Sequence, residues 1–421
     1  MKDIKMQLIC IILLFLTVNL ISYLTQDRIN VNGGKDVEGM HYFETSEKFS
    51  KDIEVTGSAP YIYRLGTPYL VSLLDKNNIL QSFFIINLTA NFISCLLLFW
   101  FLKLSIKSFA VIFTIVALYL THWFCNTRFI YYSSVIPDPC GLVFFLLGLI
   151  LLQRLKRNES GMDIFLLTVT SFTGVLFSEI MILIPTALIF IKNPVNRKHP
   201  FFINPGKLYK FGLIFIPLLA CISGFVLVHI ILMNNFPDFS YLMSTAKLFY
   251  KKTLLNYLRS VFIVFGPVIV LLLFFYRQVI NYLKENQHIL IISISFCVMS
   301  FVGGNTERIL LWFFPVMLLL LGLIIEKNLS LIERTPILLT LILSQSISNR
   351  IFLTTGQPIE NLKDFSFPVL TQIENGGFFN LTTQYTNKLF GLLSLIEYLI
   401  VVGILFMMLR YFSLKKKNFN L

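Results

Sequence analysis

Charge is scarce in this chain. Only 14% of its 421 residues are Asp, Glu, Lys or Arg, whereas a soluble domain carries about a quarter. That shortage, with 56% hydrophobic residues, excludes an ordinary soluble fold and a disordered polymer. Cysteine is sparse and scattered. Cys10, Cys95, Cys125, Cys140, Cys221 and Cys297 show no metal-ligand spacing, so they read as small apolar residues within hydrophobic runs. No internal repeat, low-complexity tract or basic soluble domain is present, which removes solenoids and nucleic-acid binding. Acidic residues are the rarer sign, 22 against 35 basic ones, and their positions become informative for that reason.

What is abundant is continuous apolar sequence. Runs of about 18 or more apolar residues read as bilayer-spanning helices, because about 20 residues at a 1.5 Å rise cross a hydrocarbon core of ~30 Å. The apolar runs, several of them shorter than that, cover residues 6–24, 79–102, 109–124, 139–152, 164–177, 180–191, 211–233, 261–276, 289–302, 309–325, 336–347 and 389–410. They predict an all-α integral membrane protein with about 12 transmembrane helices, short helical loops and one polytopic domain over residues 1–421. The first run is longer than a signal-peptide core and lacks a small-residue cleavage site, so a retained span is expected.

Basic residues orient the bundle. With residues 164–191 read as two short helices meeting at Ser178–Glu179, the Lys- and Arg-rich segments "RLKR", "KNPVNRKHP" and "LKKKN" all fall on one side. Cytoplasmic loops collect such residues. The expectation is a multi-pass protein of the cell (inner, cytoplasmic) membrane with both termini in the cytoplasm. The net charge of +13 then faces anionic membrane lipids at the cytoplasmic surface. The sizeable segments outside the bilayer are 25–78, 234–260 and 352–388, all on the outer face, and function is sought there.

The first outer loop holds the most acidic stretch, "GGKDVEGMHYFETSEKF". Asp36, Glu38 and His41 lie within six residues, and a helix starting near residue 37 places Glu38 and His41 on one face. A general base beside a second carboxylate, a divalent-metal ligand pair and a solvated surface helix all fit that pattern. Arg64 follows in "YIYRLGTPYL", where a cation at the interface suits a bidentate phosphate contact or plain anchoring. Asp138 stands between two prolines at a helix start, placed to cap free N–H groups or to serve a site. Glu179 has no charged neighbour nearby, and a carboxylate facing lipid costs roughly 2.5–3.5 kcal/mol, so it should face protein or water. Arg308 opens a later span in "TERILLWFFP", beside a ready partner in Glu307. Lys251, Lys252 and Arg259 stay on the outer side against the charge trend, which suggests an anionic partner.

The order of these features carries more than any one of them. An acidic outer loop follows the first span, then "YRLGTP" before the second, "IPDP" opening the fourth, "SE" between two short spans, and "TERILLWFFP" opening a later one. That layout resembles the polytopic glycosyltransferases of the C superfamily over most of residues 1–330. The resemblance implies transfer of a sugar from a polyprenyl-phosphate donor to an outer-face glycan, lipid or protein acceptor, with inversion. It implies Asp36 as general base, Glu38 as its partner or a metal ligand, and Arg64 and Arg308 at the donor phosphate. Asp138, Glu179, Lys251 and Lys252 join as substrate-binding residues, with a divalent cation (Mg or Mn) as an optional cofactor held by Asp36 and Glu38. The spacing Asp36-Val37-Glu38 departs from the commoner adjacent Asp-Glu or Asp-x-Asp pair, and leaves open which carboxylate acts.

Two other functions fit a many-spanned protein. An O-antigen-type polysaccharide polymerase would concentrate arginines in large late outer loops, yet 352–388 has Lys363 and Lys388 and no arginine. A lipid-linked saccharide transporter or flippase would show broken helices at mid-membrane and related halves; no related halves are evident.

Overall fold

The computed structural model describes residues 2–26, 28–29, 31–36, 38–57, 61–122, 125–158, 160–191, 205–232, 254–302, 306–349 and 388–419. Among them the secondary structure is helical, with no strand. The first helix, α1 (Lys2–Thr25), leads into the first loop, which carries α2 (Gly39–Ser50) and α3 (Gly66–Leu74). Then come α4 (Ile79–Lys103), α5 (Phe109–Thr121), the short α6 (Asn126–Tyr132), α7 (Asp138–Arg157), α8 (Gly161–Val175), α9 (Leu183–Leu188) and α10 (Pro205–Ile231). The second half is α11 (Leu254–Phe265), α12 (Val270–Phe274), α13 (Tyr276–Glu285), α14 (Gln287–Val302), α15 (Thr306–Lys327), α16 (Leu329–Ile332), α17 (Thr335–Asn349) and α18 (Lys388–Phe419).

Six helical segments among the described residues are long and apolar enough to cross a bilayer: Ile4–Thr25, Ile79–Lys103, Phe109–Tyr132, Asp138–Arg157, Thr306–Lys327 and Leu395–Lys415. A seventh is the pair Tyr257–Phe265 and Pro267–Phe274, bent by 99°. Among the described residues, these account for seven of the twelve apolar runs. Residues 164–191 do break near Ser178, but Glu179–Leu188 spans only about 15 Å at the helical rise, half a hydrocarbon core. Of the expected outer segments 234–260 and 352–388, residues 234–253 and 352–387 lie outside the described residues.

Local chemistry sets several boundaries. The Asn78 side chain accepts from Gln81 N at the start of α4, and Ser160 accepts from Asp163 N at the start of α8, satisfying N–H groups that a helix start leaves free. The break between α11 and α12 falls at Gly266, whose φ of 69° is open to glycine at little cost. Gln345 of α17 fills the gap: its Oε1 accepts from Val268 N at 3.0 Å, and its Nε2 donates to Asn349 Oδ1 at 2.8 Å.

The largest apolar cluster joins α1, α4, α5, α7 and α15, with Phe99, Ile115, Phe145 and Leu319 fully buried. The outward sides of α1 and α18 expose Leu13, Leu20, Leu399 and Met407, as lipid-facing helices do. The bundle has two distinct ends. At one, Lys103 at the end of α4 donates to Gln7 near the start of α1, and Arg334 lies over the Phe412 ring near the end of α18. At the other end sit α2, α3, and the first residues of α7 and α15.

Candidate functional site

Five charged residues from distant parts of the chain converge at that second end. Asp138 is the first residue of α7, preceded by Pro137 and followed by Pro139. Its carboxylate does not cap the helix. It turns to Arg308 on the first turn of α15, which donates through Nε to Oδ1 and Oδ2 at 3.2 and 3.0 Å and brings Nη2 within 2.7 Å of Oδ2 as an ion pair. Trp312, one turn along α15, donates from Nε1 to Asp138 Oδ1 at 3.0 Å. The remaining edge of the Arg308 guanidinium, Nη1, donates to Glu38 Oε2 at 2.7 Å. Arg308 pairs with these two carboxylates and not with its sequence neighbour: fully buried Glu307 accepts from Ser260 Oγ at 2.8 Å, beside buried Arg259.

A second pair adjoins the first. Arg64 follows the 3-10 turn Tyr61–Tyr63 and grips Glu179 with both prongs, Nε to Oε2 at 3.0 Å and Nη2 to Oε1 at 2.5 Å. Its third nitrogen, Nη1, donates to the Tyr42 hydroxyl at 3.3 Å. Tyr42 lies on α2, is 1% exposed, and feels the charges of Arg64, Arg308, Asp138 and Glu38. Burial keeps its phenol above the usual value although both arginines pull it down. Burial would lower the Arg64 pKa, yet Glu179 beside it holds the guanidinium well above its ordinary value. Both arginines are thus fixed cations, and Tyr42 is the neutral group between them.

Exposure separates the two kinds of carboxylate. Asp138 is buried with a 6% exposed side chain, whereas Glu38 and Glu179 are 26% and 42% exposed. Each arginine therefore has one contact that water reaches. Aromatic rings frame the same surface. His41 stacks on Tyr61 at 4.6 Å and His229 of α10 stacks on Tyr63 at 5.2 Å, clamping the turn that presents Arg64.

The site residues expected from sequence fall into three groups. Glu38, Arg64, Asp138, Glu179 and Arg308 meet in this network. Asp36 lies two residues from Glu38, 6% exposed, in the left-handed backbone region at φ 65°, and its charge acts on the Tyr132 phenol. The expected helix begins at Gly39, so Asp36 precedes it and Glu38 sits at its N-cap. Lys251 and Lys252 lie outside the described residues. His41 packs on Tyr61 instead of meeting the carboxylates. Sequence reading passed over Tyr42 and Trp312, because interfacial aromatics look like membrane anchors.

Among the described residues, no three of His, Cys, Asp and Glu come together as ligands. Of the expected pair of ligands, Glu38 contacts Arg308 and Asp36 lies two residues before it. No protein-family model matches the chain, and no curated protein matches it significantly.

Proposed function

We propose that this protein is a membrane glycosyltransferase that moves a sugar from a polyprenyl-phosphate donor to an outer-face glycan, lipid or protein acceptor. The observation that carries the reading is the convergence of Arg64 and Arg308, each with one water-reachable carboxylate contact, at a single end of an apolar bundle. In this reading the bundle is glycosyltransferase-C-like, the short helices complete a set of about twelve membrane segments, and the site faces outward.

The chemistry asks for two things. An acceptor hydroxyl is a weak nucleophile at neutral pH, so a carboxylate takes its proton as the new bond forms; Asp36 is assigned that role, with Glu38 as its neighbour. The acceptor oxygen bonds to the anomeric carbon while the carbon–oxygen bond to phosphate breaks, and its electron pair leaves with the phosphate. Arg64 and Arg308 stabilise that charge. An arriving phosphate competes only with Glu38 and Glu179, because the Arg308–Asp138 contact is buried and held by Trp312. Attack opposite the phosphate inverts the anomeric centre.

A flippase for lipid-linked saccharides is the second reading, favoured by the 99° break at Gly266, since transporters place broken helices around their sites. The side chains meeting that break are the amides Gln345 and Asn349, while the charges gather elsewhere. Mass spectrometry of cell-surface glycans with and without the gene tests the proposal, with an Asp36→Asn strain as the third arm. Loss of one sugar in both altered strains supports transfer. Wild-type glycans from a normally expressed Asp36→Asn protein overturn the base assignment, and vesicle uptake without transfer selects the flippase.

A further inference from the structure

The segment 132–137, between α6 and α7, is the hub on which the site is assembled. All of its residues are buried, and its backbone oxygens meet four separate parts of the chain. Tyr132 O accepts from Ile29 N at 2.9 Å. Pro137 O accepts from Thr67 Oγ1 at 3.3 Å, three residues beyond Arg64. Val135 O lies so close to Gly39 that a Cβ there would sit 2.9 Å from it, which puts the start of α2, and hence Glu38, directly on the segment. Ser134 O and Ile136 O both accept from Asn87 Nδ2, each at 2.8 Å.

Asn87 is fully buried in the apolar helix α4. Both hydrogens of its amide are committed to that segment, and its Oδ1 faces the Cys140 thiol at 3.8 Å. A buried amide in a membrane helix is costly unless paired, and this one is paired wholly with the backbone that leads into Asp138. One turn along, Asn91 Nδ2 donates to Thr127 Oγ1 at 2.9 Å, tying the preceding helix α6 to the same face of α4. The geometry points to Asn87 as the positioning residue of the site. It touches none of the charged groups, yet it fixes the segment that seats Asp138 on one side of Arg308 and Glu38 on the other. Ion-pair geometry of this kind depends on such supporting contacts.

The test reads Arg308 directly and needs no sugar transfer, so failure of the proposed chemistry and failure of this inference are separate results. The full chain in lipid nanodiscs is treated with phenylglyoxal, which modifies accessible arginines, and rates at Arg308 and Arg259 are followed by peptide mass spectrometry. Asn87→Leu keeps the shape and removes both donors. Losing two hydrogen bonds should speed Arg308 modification about tenfold, while Arg259, only 2% exposed, stays at its wild-type rate. In an Asp138→Asn background the same substitution should add less than about twofold, because the contact it serves is already weakened. Thr67→Val, which removes the separate bond to Pro137 O, should act in the same direction and less strongly. Asn87→Ser, with one hydroxyl donor on a shorter arm, carries the comparison if the leucine variant is lost in purification. An Arg308 rate within twofold of wild type, a parallel rise at Arg259, or fully multiplicative effects in the double variant would each overturn the assignment.

Discussion

Arg308 and Asp138, 170 residues apart, share three contacts of 2.7 to 3.2 Å in a setting where both are nearly buried. The pair locks the first turn of α15 to the first turn of α7, and Trp312 holds Asp138 from a second side. Removing one partner of a buried pair strands the other charge, which costs about 3–5 kcal/mol. Arg308→Leu strands two carboxylates, so it should lower stability by about 4 kcal/mol. Asp138→Asn keeps the oxygen that Trp312 uses and leaves Arg308 with Glu38, so about 2 kcal/mol is expected. Thermal unfolding followed by gel filtration in detergent checks the order: wild type highest, Asp138→Asn next, Arg308→Leu lowest. The reverse order of the two variants would contradict the pairing.

The Arg64–Glu179 pair should behave differently, because water reaches Glu179. An ion pair in contact with water contributes about 0–1 kcal/mol. Glu179→Gln, which keeps an oxygen facing Arg64, should therefore shift the unfolding midpoint by less than about 2 °C. Arg64→Ala, by contrast, removes a charged donor from the proposed phosphate site. Binding of a polyprenyl phosphate, measured by tryptophan quenching in nanodiscs, should weaken roughly ten- to a hundredfold. Unchanged binding would remove Arg64 from the phosphate site.

Much of this site was visible in the sequence, for a physical reason. A charged residue beside an apolar run must face protein, water or headgroups, so Arg64, Asp138, Glu179 and Arg308 stand out against their surroundings. Their pairing was not visible. Arg308 meets Asp138 and Glu38 rather than adjacent Glu307, since α15 directs residues 307 and 308 to different neighbours about 100° apart around its axis. Asn87 was passed over because one amide in a 25-residue apolar helix carries no pattern; its partners are backbone oxygens that any sequence would supply. The number of spans was read from hydropathy alone, which cannot tell a long helix from a short one ended by a turn such as Glu179–Ile182.

Orientation yields a direct test. Lys51 lies at the end of α2 with a 59% exposed side chain, and Lys415 is exposed near the end of α18. In a background with the native cysteines replaced, Lys51→Cys should react with a membrane-impermeant maleimide on intact cells. Lys415→Cys should react only after permeabilisation, as the positive-inside rule requires. Labelling of Lys415→Cys alone would reverse the proposed sidedness of the site, and labelling of both from outside would overturn the cytoplasmic C-terminus.

Asp36 offers the sharpest separation of stability from activity. Its φ of 65° lies where an L side chain costs roughly 1–2 kcal/mol, a cost glycine escapes. Asn32 Nδ2 donates to the Asp36 carbonyl at 3.1 Å and holds the backbone there. Asp36→Gly should therefore hold or raise stability, by up to about 1 kcal/mol, and Asp36→Asn should leave it nearly unchanged because asparagine tolerates this conformation. Asp36→Val, branched at Cβ, should be the least stable of the three. Sugar transfer should fall at least a hundredfold in all of them, the loss expected when a positioned base is removed. An Asp36→Gly protein less stable than Asp36→Val would refute the strain argument, and one that transferred sugar at the wild-type rate would move the base to Glu38, the carboxylate already seated on Arg308.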